Sequence, residues 1–172
     1  MFCVGIVGHR YLGDARTIRF VSEQCLVILK KARAEHPSVV ALSAIAEGAD
    51  TLFAEAALAL DIPLEVVRPF EEYASDFVDA SARERYHRLR SAASQETNLP
   101  YAGRSDKAYL AAMNWVVGRS DLLVAAWDGL PATGAGGTGD AVRRAISLNR
   151  AWIHLNVIDL SVTLHTAGTA IN

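Results

Sequence analysis

Five short apolar runs, separated by helical patterns and polar loops, constrain the fold of this chain more than any other feature. FCVGIV at 2–7, VVALSAI at 39–45, IPLEVV at 62–67, DLLVAAW at 121–127 and WIHLNVI at 152–158 are nearly continuous in aliphatic and β-branched residues. A strand with one wet face alternates apolar and polar side chains, whereas a run without alternation is buried on both faces, as in a parallel sheet covered by helices. Residues 15–35 place Ile18, Val21, Cys25, Ile28 and Leu29 on one helical face and keep Arg19, Lys30, Arg33 and Glu35 off it, until Pro37 ends the pattern. An Ala-rich helix at 51–60 and helices at 106–118 and 140–149 complete an alternating order. The fold class predicted is α/β: one Rossmann-like, doubly wound domain over 1–172, with about five mainly parallel strands and helices on both faces.

Two stretches depart from the rhythm. Residues 69–105 hold a charged segment, SARERYHRLRSAASQ, and a turn-rich piece, TNLPYAGRS, which predict a partly helical insertion. The last residues, SVTLHTAGTAIN, read as a surface tail or an extra edge strand.

Composition narrows the partners. At 172 residues the chain is long enough for one core, and 51% hydrophobic with 21% charged residues is the balance of a globular protein. A net charge of −2 gives no electrostatic reason to expect duplex nucleic acid or an anionic membrane as the main partner. No run approaches the ~18 apolar residues of a membrane span, and MFCVGIVGHR reaches charge too early for a signal peptide, so a cytoplasmic location is expected. Cys3 and Cys25 lack a CxxC or Cys/His setting and read as buried small hydrophobes. No metal-ligand spacing, HExxH or Ser/His/Asp order is present, so no metal site is expected.

Doubly wound sheets bind ligands outside the carboxyl ends of their strands, near the point where strand order reverses. The loops at issue are GHR after the first strand, AEGAD after the second, RPF after the third, and WDG with the glycine loop after the fourth. Gly8 would let the backbone approach a ligand, Arg10 offers a forked donor for phosphate or carboxylate, and His9 exchanges a proton near neutral pH. The bland alternative is a turn glycine, a packed imidazole and a solvated arginine. Asp50 either caps the next helix or joins Glu47 in accepting from ribose hydroxyls or a base edge, with Gly48 giving close backbone approach.

GAGGTG at 134–139 matches GxGxxG, and Asp159 follows Gly134 at the spacing of a ribose acid. Residues 128–133 nevertheless separate Trp127 from that fingerprint, and only one further strand follows, so an NAD reading fails. Gly129 and Gly134 have Walker A spacing, but Ala135 and Gly136 stand where Lys and Ser/Thr are needed. There remains a concave anion site built from the amides of Gly136 and Gly137 at a helix N-terminus, with the Thr138 hydroxyl and Arg10 helping to hold phosphate and Glu47 and Asp128 meeting sugar or base. A flexible surface loop is the alternative. Asp140 either caps that helix or repels a phosphate placed there.

Other conspicuous residues read as support. Trp115 and Trp127 suit core or pocket wall, Tyr73, Tyr86 and Tyr101 could close over a ligand, and Arg83, Arg85, Arg88 and Arg90 form a solvated helix face.

Together, VGIVGHR, SAIAEGADTLFAEAAL and SDLLVAAWDGLPATGAGGTGDAVRRA resemble the SLOG superfamily, which takes its name from the Smf/DprA and LOG proteins. The resemblance implies a Rossmann-like domain that binds a nucleotide or nucleotide-derived ligand, as a sensor or carrier, or as an enzyme releasing a base from a nucleoside monophosphate. LOG-type enzymes resemble PGGxGTxxE. With Gly136 and Gly137 as the paired glycines, Asp140 falls where Thr belongs and Arg143 where Glu belongs. With Gly137 and Thr138 as GT, Ala141 falls at the acid position. Hydrolysis of an N-glycosidic bond would therefore need Glu47, Asp50 or Asp128 as its carboxylate.

The ligand-binding set expected is Gly8, His9, Arg10, Glu47, Gly48, Asp128, Gly129, Gly136, Gly137 and Thr138. No cofactor beyond the nucleotide ligand is required. The partners expected are a small-molecule nucleotide and further copies of the chain, with no duplex nucleic acid and no membrane. An assembly domain with a vestigial pocket is the remaining alternative.

Overall fold

The computed structural model describes residues 1–131 and 136–168. Its elements run β1 (Phe2–Gly8), α1 (Ala15–Glu35), β2 (Val39–Ser43), α2 (Ala49–Ala59), β3 (Leu64–Arg68), a 3₁₀ turn (Tyr73–Asp76), α3 (Ala80–Ser91), β4 (Gln95–Asn98), α4 (Asp106–Arg119), β5 (Leu122–Trp127), α5 (Thr138–Ser147), β6 (Ala151–Asn156) and β7 (Val162–His165). One sheet has the order β4-β3-β2-β1-β5-β6-β7. The first six strands pair in parallel, and β7 runs antiparallel to β6.

The α/β doubly wound architecture is as expected, with seven strands instead of five. β7 realises the edge-strand reading of the tail, pairing Val162 with Leu155 and Leu164 with Ile153. β4 lies inside the stretch read as an insertion: Gln95–Asn98 extends the sheet from β3, with Val66 opposite Glu96. Its polar sequence carries no apolar run because an edge strand needs little burial, so hydrophobic pattern could not find it.

Side-chain alternation along each central strand feeds two cores. Val4 and Ile6 of β1 join Leu64, Val66, Val124 and Leu155 beneath α1, α2 and α3. Cys3 and Val7 join Leu42, Val67, Leu123 and Trp152 beneath α4 and α5. Helix ends follow local chemistry: the carboxylates of Asp14 and Asp79 and the hydroxyl of Ser105 accept from first-turn amides of α1, α3 and α4. Cys3 and Cys25 are both buried and free, and burial pushes the Cys25 thiol up to about 12. Among the described residues, no helix is long and apolar enough to cross a membrane.

Candidate functional site

Strand order reverses at β1, which pairs with β2 on one side and β5 on the other. The loops leaving β1 and β5 are tied directly together there. His9 N donates to Ala126 O at 3.0 Å. His9 Nε2 lies 3.3 Å from Asp128 Oδ2 and accepts from the Asp128 backbone N at the same distance. Asp128 Oδ1 accepts from Leu130 N at 2.9 Å, closing a turn in which Gly129 takes φ 85°. Gly8, His9, Asp128 and Gly129 are thus one cluster at the switch point.

The loop after β2 packs onto this cluster through its glycine. Gly48 has φ 88°, and a Cβ there would stand 2.4 Å from the carbonyl oxygens of both His9 and Arg10. Ala49 N donates to His9 O at 3.2 Å. At Gly8 a Cβ would fall 2.4 Å from that of Ala49. Both glycines therefore permit chain to approach chain, a different use of their bareness from the ligand approach expected.

The two carboxylates of AEGAD separate. Glu47 is exposed and lines a cavity of about 230 Å³ with Thr51, Phe77, Asp79, Ser81 and Arg85. Asp50 turns inward. The cap position of α2 belongs to Gly48, and the buried Asp50 carboxyl accepts from Ala46 N at 3.4 Å. Burial pushes its pKa up to about 7, against the Ala46 N–H and the Arg10 charge, which favour the carboxylate.

Arg10 is held by residues that the sequence pattern did not single out. Its Nη2 lies 3.3 Å from Asp76 Oδ2, and its guanidinium carbon stands 5.4 Å from the centre of the Tyr109 ring. The Tyr109 hydroxyl donates to the same carboxylate oxygen, and Arg104 Nε approaches Oδ1 at 3.9 Å. Burial works against the Arg10 charge, and the Tyr73, Asp76 and Tyr109 groups outweigh it, so Arg10 is held more firmly protonated than an ordinary arginine. No periodicity marks FEEYASDF as a site. The available signal was an acid set between two aromatics, Tyr73 and Phe77.

Residues 132–135 lie outside the described part, and with them Gly134 and Ala135 of the GxGxxG and Walker A readings. At Gly136, φ is 80° and a Cβ would stand 2.9 Å from Leu110 N, so the start of the α5 segment sits hard against α4, one residue from Tyr109. Gly136 N donates to Asp140 Oδ2 at 3.0 Å, while Arg143 bonds the other oxygen. Asp140 thus lies in the first turn of α5 and closes the loop before the helix through Gly136, without capping the helix itself. Gly137 is the cap residue of α5, and Thr138 and Gly139 supply its first amides, which helix geometry leaves without intrahelical acceptors. Asp159, the would-be ribose acid, accepts from Ser161 N in the β6–β7 turn.

Several supporting roles change. Tyr73 and Tyr86 are buried in an aromatic cluster with Phe70 and Phe77 and so form core instead of a cover. The α3 arginines are engaged: Arg85 and Arg88 on Glu55, Arg90 on Glu96, and Arg83 on Phe77 O. Helical spacing could not reveal these partners because they lie on α2, on β4 and just after the 3₁₀ turn. Trp115 carries the Arg119 guanidinium 4.5 Å above its ring, and Trp127 donates to Leu130 O at 2.8 Å.

No protein-family model and no curated protein matches the sequence. Solved structures do match. DNA processing protein A of Streptococcus pneumoniae aligns at TM-score 0.63 and 15% identity over 90% of this chain and 50% of its own. DNA processing protein A of Helicobacter pylori, described for its single-stranded DNA binding mode, aligns at 0.60 and 16% over 89% and 64%. TM1055, a structural-genomics target, aligns at 0.54 and 13% over 88% and 72%. The chain thus spans half to two-thirds of the length of the two DNA processing proteins. Fold and loop arrangement define a doubly wound, Rossmann-like class with its candidate site at the switch point. Within that class the fold is similar to that of DNA processing protein A.

This likeness corrects the partners expected, in which a net charge of −2 set duplex nucleic acid aside and left a small nucleotide. A protein of the same fold binds single-stranded DNA, so neither the fold nor a charge of −2 gives ground for excluding nucleic acid. Net charge averages the whole surface, whereas a strand meets a local groove.

Proposed function

We propose that the protein binds a nucleotide at the carboxyl edge of its parallel sheet, as a sensor or carrier domain. The observation that carries this reading is the convergence at the switch point of His9 and Arg10 from β1 with Asp128 from β5. Arg10 and the first amides of α5 suit a phosphate, Asp128 suits sugar or base donors, and Glu47 offers a further acceptor at the neighbouring cavity. The shared chemistry is a nucleoside phosphate, free or as a unit of a single strand. Titration calorimetry with AMP, GMP, CMP and UMP, and separately with a single-stranded oligonucleotide, distinguishes the two sources. Gly137→Val should abolish nucleotide-induced thermal stabilisation while the unliganded protein stays folded. An unchanged stabilisation would remove the glycine loop from the site.

One observation favours a second reading, hydrolysis of the N-glycosidic bond of a nucleoside monophosphate. The neither-register result leaves the glycine loop without its acid, but His9 and Asp128 form a carboxylate–imidazole pair at the switch point. Release of free base from a monophosphate, lost in Asp128→Asn, is its test.

A further inference from the structure

We infer that Asp76 is a positioning residue for nucleotide binding, which aims the Arg10 guanidinium at the switch-point crevice together with Tyr109. The inference rests on the nucleotide-binding reading above and adds to it a residue from the stretch between β3 and α4. The Asp76 side chain is 3% exposed, yet its carboxylate receives three groups from three different places: Arg10 from the loop after β1, the Tyr109 hydroxyl from α4, and Arg104 from the segment before α4. The carboxylate has little freedom to follow them. Its 3₁₀ turn is bonded by Ser75 N to Glu72 O at 2.9 Å and anchored by Tyr73 and Phe77, both buried and packed edge-on at 5.6 Å.

A guanidinium has five donors in one plane, so fixing one of them and laying a ring near its carbon determines where the others point. In Arg10 one terminal nitrogen faces Asp76 and the carbon stands over Tyr109, while the side chain remains 45% exposed. The same helix carries the backbone against which Gly136 packs, so Tyr109 fixes Arg10 relative to the start of α5. Two arginines around one carboxylate leave one net positive charge for an incoming anion. An arginine free in solvent would lose side-chain entropy on binding phosphate, and a pre-aimed one loses less.

The sign of the effect separates positioning from plain electrostatics. Removing a negative charge beside Arg10 should, by Coulomb attraction alone, tighten the binding of an anion. If Asp76 positions Arg10, the same change weakens it. The experiment measures affinity for AMP, GMP, CMP and UMP and for the matching nucleosides, with wild type, Asp76→Asn and Tyr109→Phe. Positioning predicts that Asp76→Asn loses about tenfold in affinity for the bound monophosphate, that Tyr109→Phe loses a smaller factor, and that nucleoside binding is unchanged. Affinity for the monophosphate that is unchanged or increased in a folded Asp76→Asn protein overturns the inference and leaves the nucleotide reading standing. An equal loss for nucleoside and monophosphate also overturns it, since that is the mark of general loosening. Should Asp76→Asn fail to fold, Tyr109→Phe decides alone by the same phosphate-specific criterion. No binding of any monophosphate by wild type overturns the inference, and no binding of the single-stranded oligonucleotide as well overturns the nucleotide reading.

Discussion

His9 Nε2 lies 3.3 Å from the carboxylate of Asp128 and 3.3 Å from its backbone nitrogen, so one ring atom faces an acceptor and a donor of the same residue. A neutral imidazole with its proton on Nδ1 accepts the amide hydrogen, and an imidazolium donates to the carboxylate instead. In either form the bond joins the ends of β1 and β5.

Replacing His9 with Ala should therefore loosen the switch point itself. The Asp128 amide loses its acceptor and the carboxylate its partner, a change of about 1 kcal/mol at a half-buried site. Urea unfolding checks this: the midpoint should fall while the slope stays at its wild-type value. A larger loss of nucleotide affinity than of stability would place His9 in contact with ligand.

Asp50 gives the protein an unusual dependence on pH. Its folded value of about 7 stands above the ordinary carboxyl value of about 3.9 because burial disfavours the charge. Between those values the folded state holds a proton that the unfolded state has released. The stability tied to Asp50 is thus fully present below pH 4 and is lost as pH rises to about 7, a change on the order of 4 kcal/mol. Asp50→Asn keeps an acceptor for Ala46 N and removes the titration. It should be more stable than wild type at pH 8 and no more stable at pH 4, as measured by denaturation at both values.

The parts of this architecture that bury apolar runs were legible, and the parts held by polar partners were not. β1, β2, β3, β5 and β6 announce themselves as runs without alternation, and their order places GHR and WDG side by side at the sheet's switch point. β4 is polar and its existence depends on the β3 edge, which no local pattern records. Asp76 shows the same limit at the site: it is 66 residues from Arg10, in a segment without periodicity, and only the tertiary fold makes them neighbours. Gly48 reads from the sequence as a place where backbone approaches a ligand closely; in the structure the group that crowds it is the backbone of residues 9 and 10.

At the opposite edge, His165 should report acidification. Its ring stacks on Trp152 with centroids 4.0 Å apart and planes within 6°. Burial, with the nearby His154 charge second, lowers its pKa below the ordinary 6.5. The folded state therefore favours the neutral ring. The stability this confers is present above pH 6.5 and is lost as pH falls through the lowered value. β7 amides should exchange faster on acidification, after correction for intrinsic rates, and His165→Phe should remove that dependence while keeping the stack.

Gly48 and Gly129 share a positive φ, 88° and 85°, and have opposite surroundings. A Cβ at Gly129 meets nothing within 4 Å, so Gly129→Ala carries only the strain of a left-handed residue, about 1–2 kcal/mol. A Cβ at Gly48 meets two carbonyl oxygens at 2.4 Å, and neither can move without shifting the loop that bears Arg10. Gly48→Ala should cost about 3 kcal/mol or more, because it adds that displacement to the strain of a positive φ. The two variants also differ in function. Gly48→Ala should impair nucleotide binding at temperatures where it is still folded, because His9 and Arg10 are displaced together, whereas the open space at Gly129 predicts near-wild-type affinity. Thermal denaturation and calorimetric titration of the pair test both statements, and equal losses from the two would show that the close packing of Gly48 on residues 9 and 10 is irrelevant to the site.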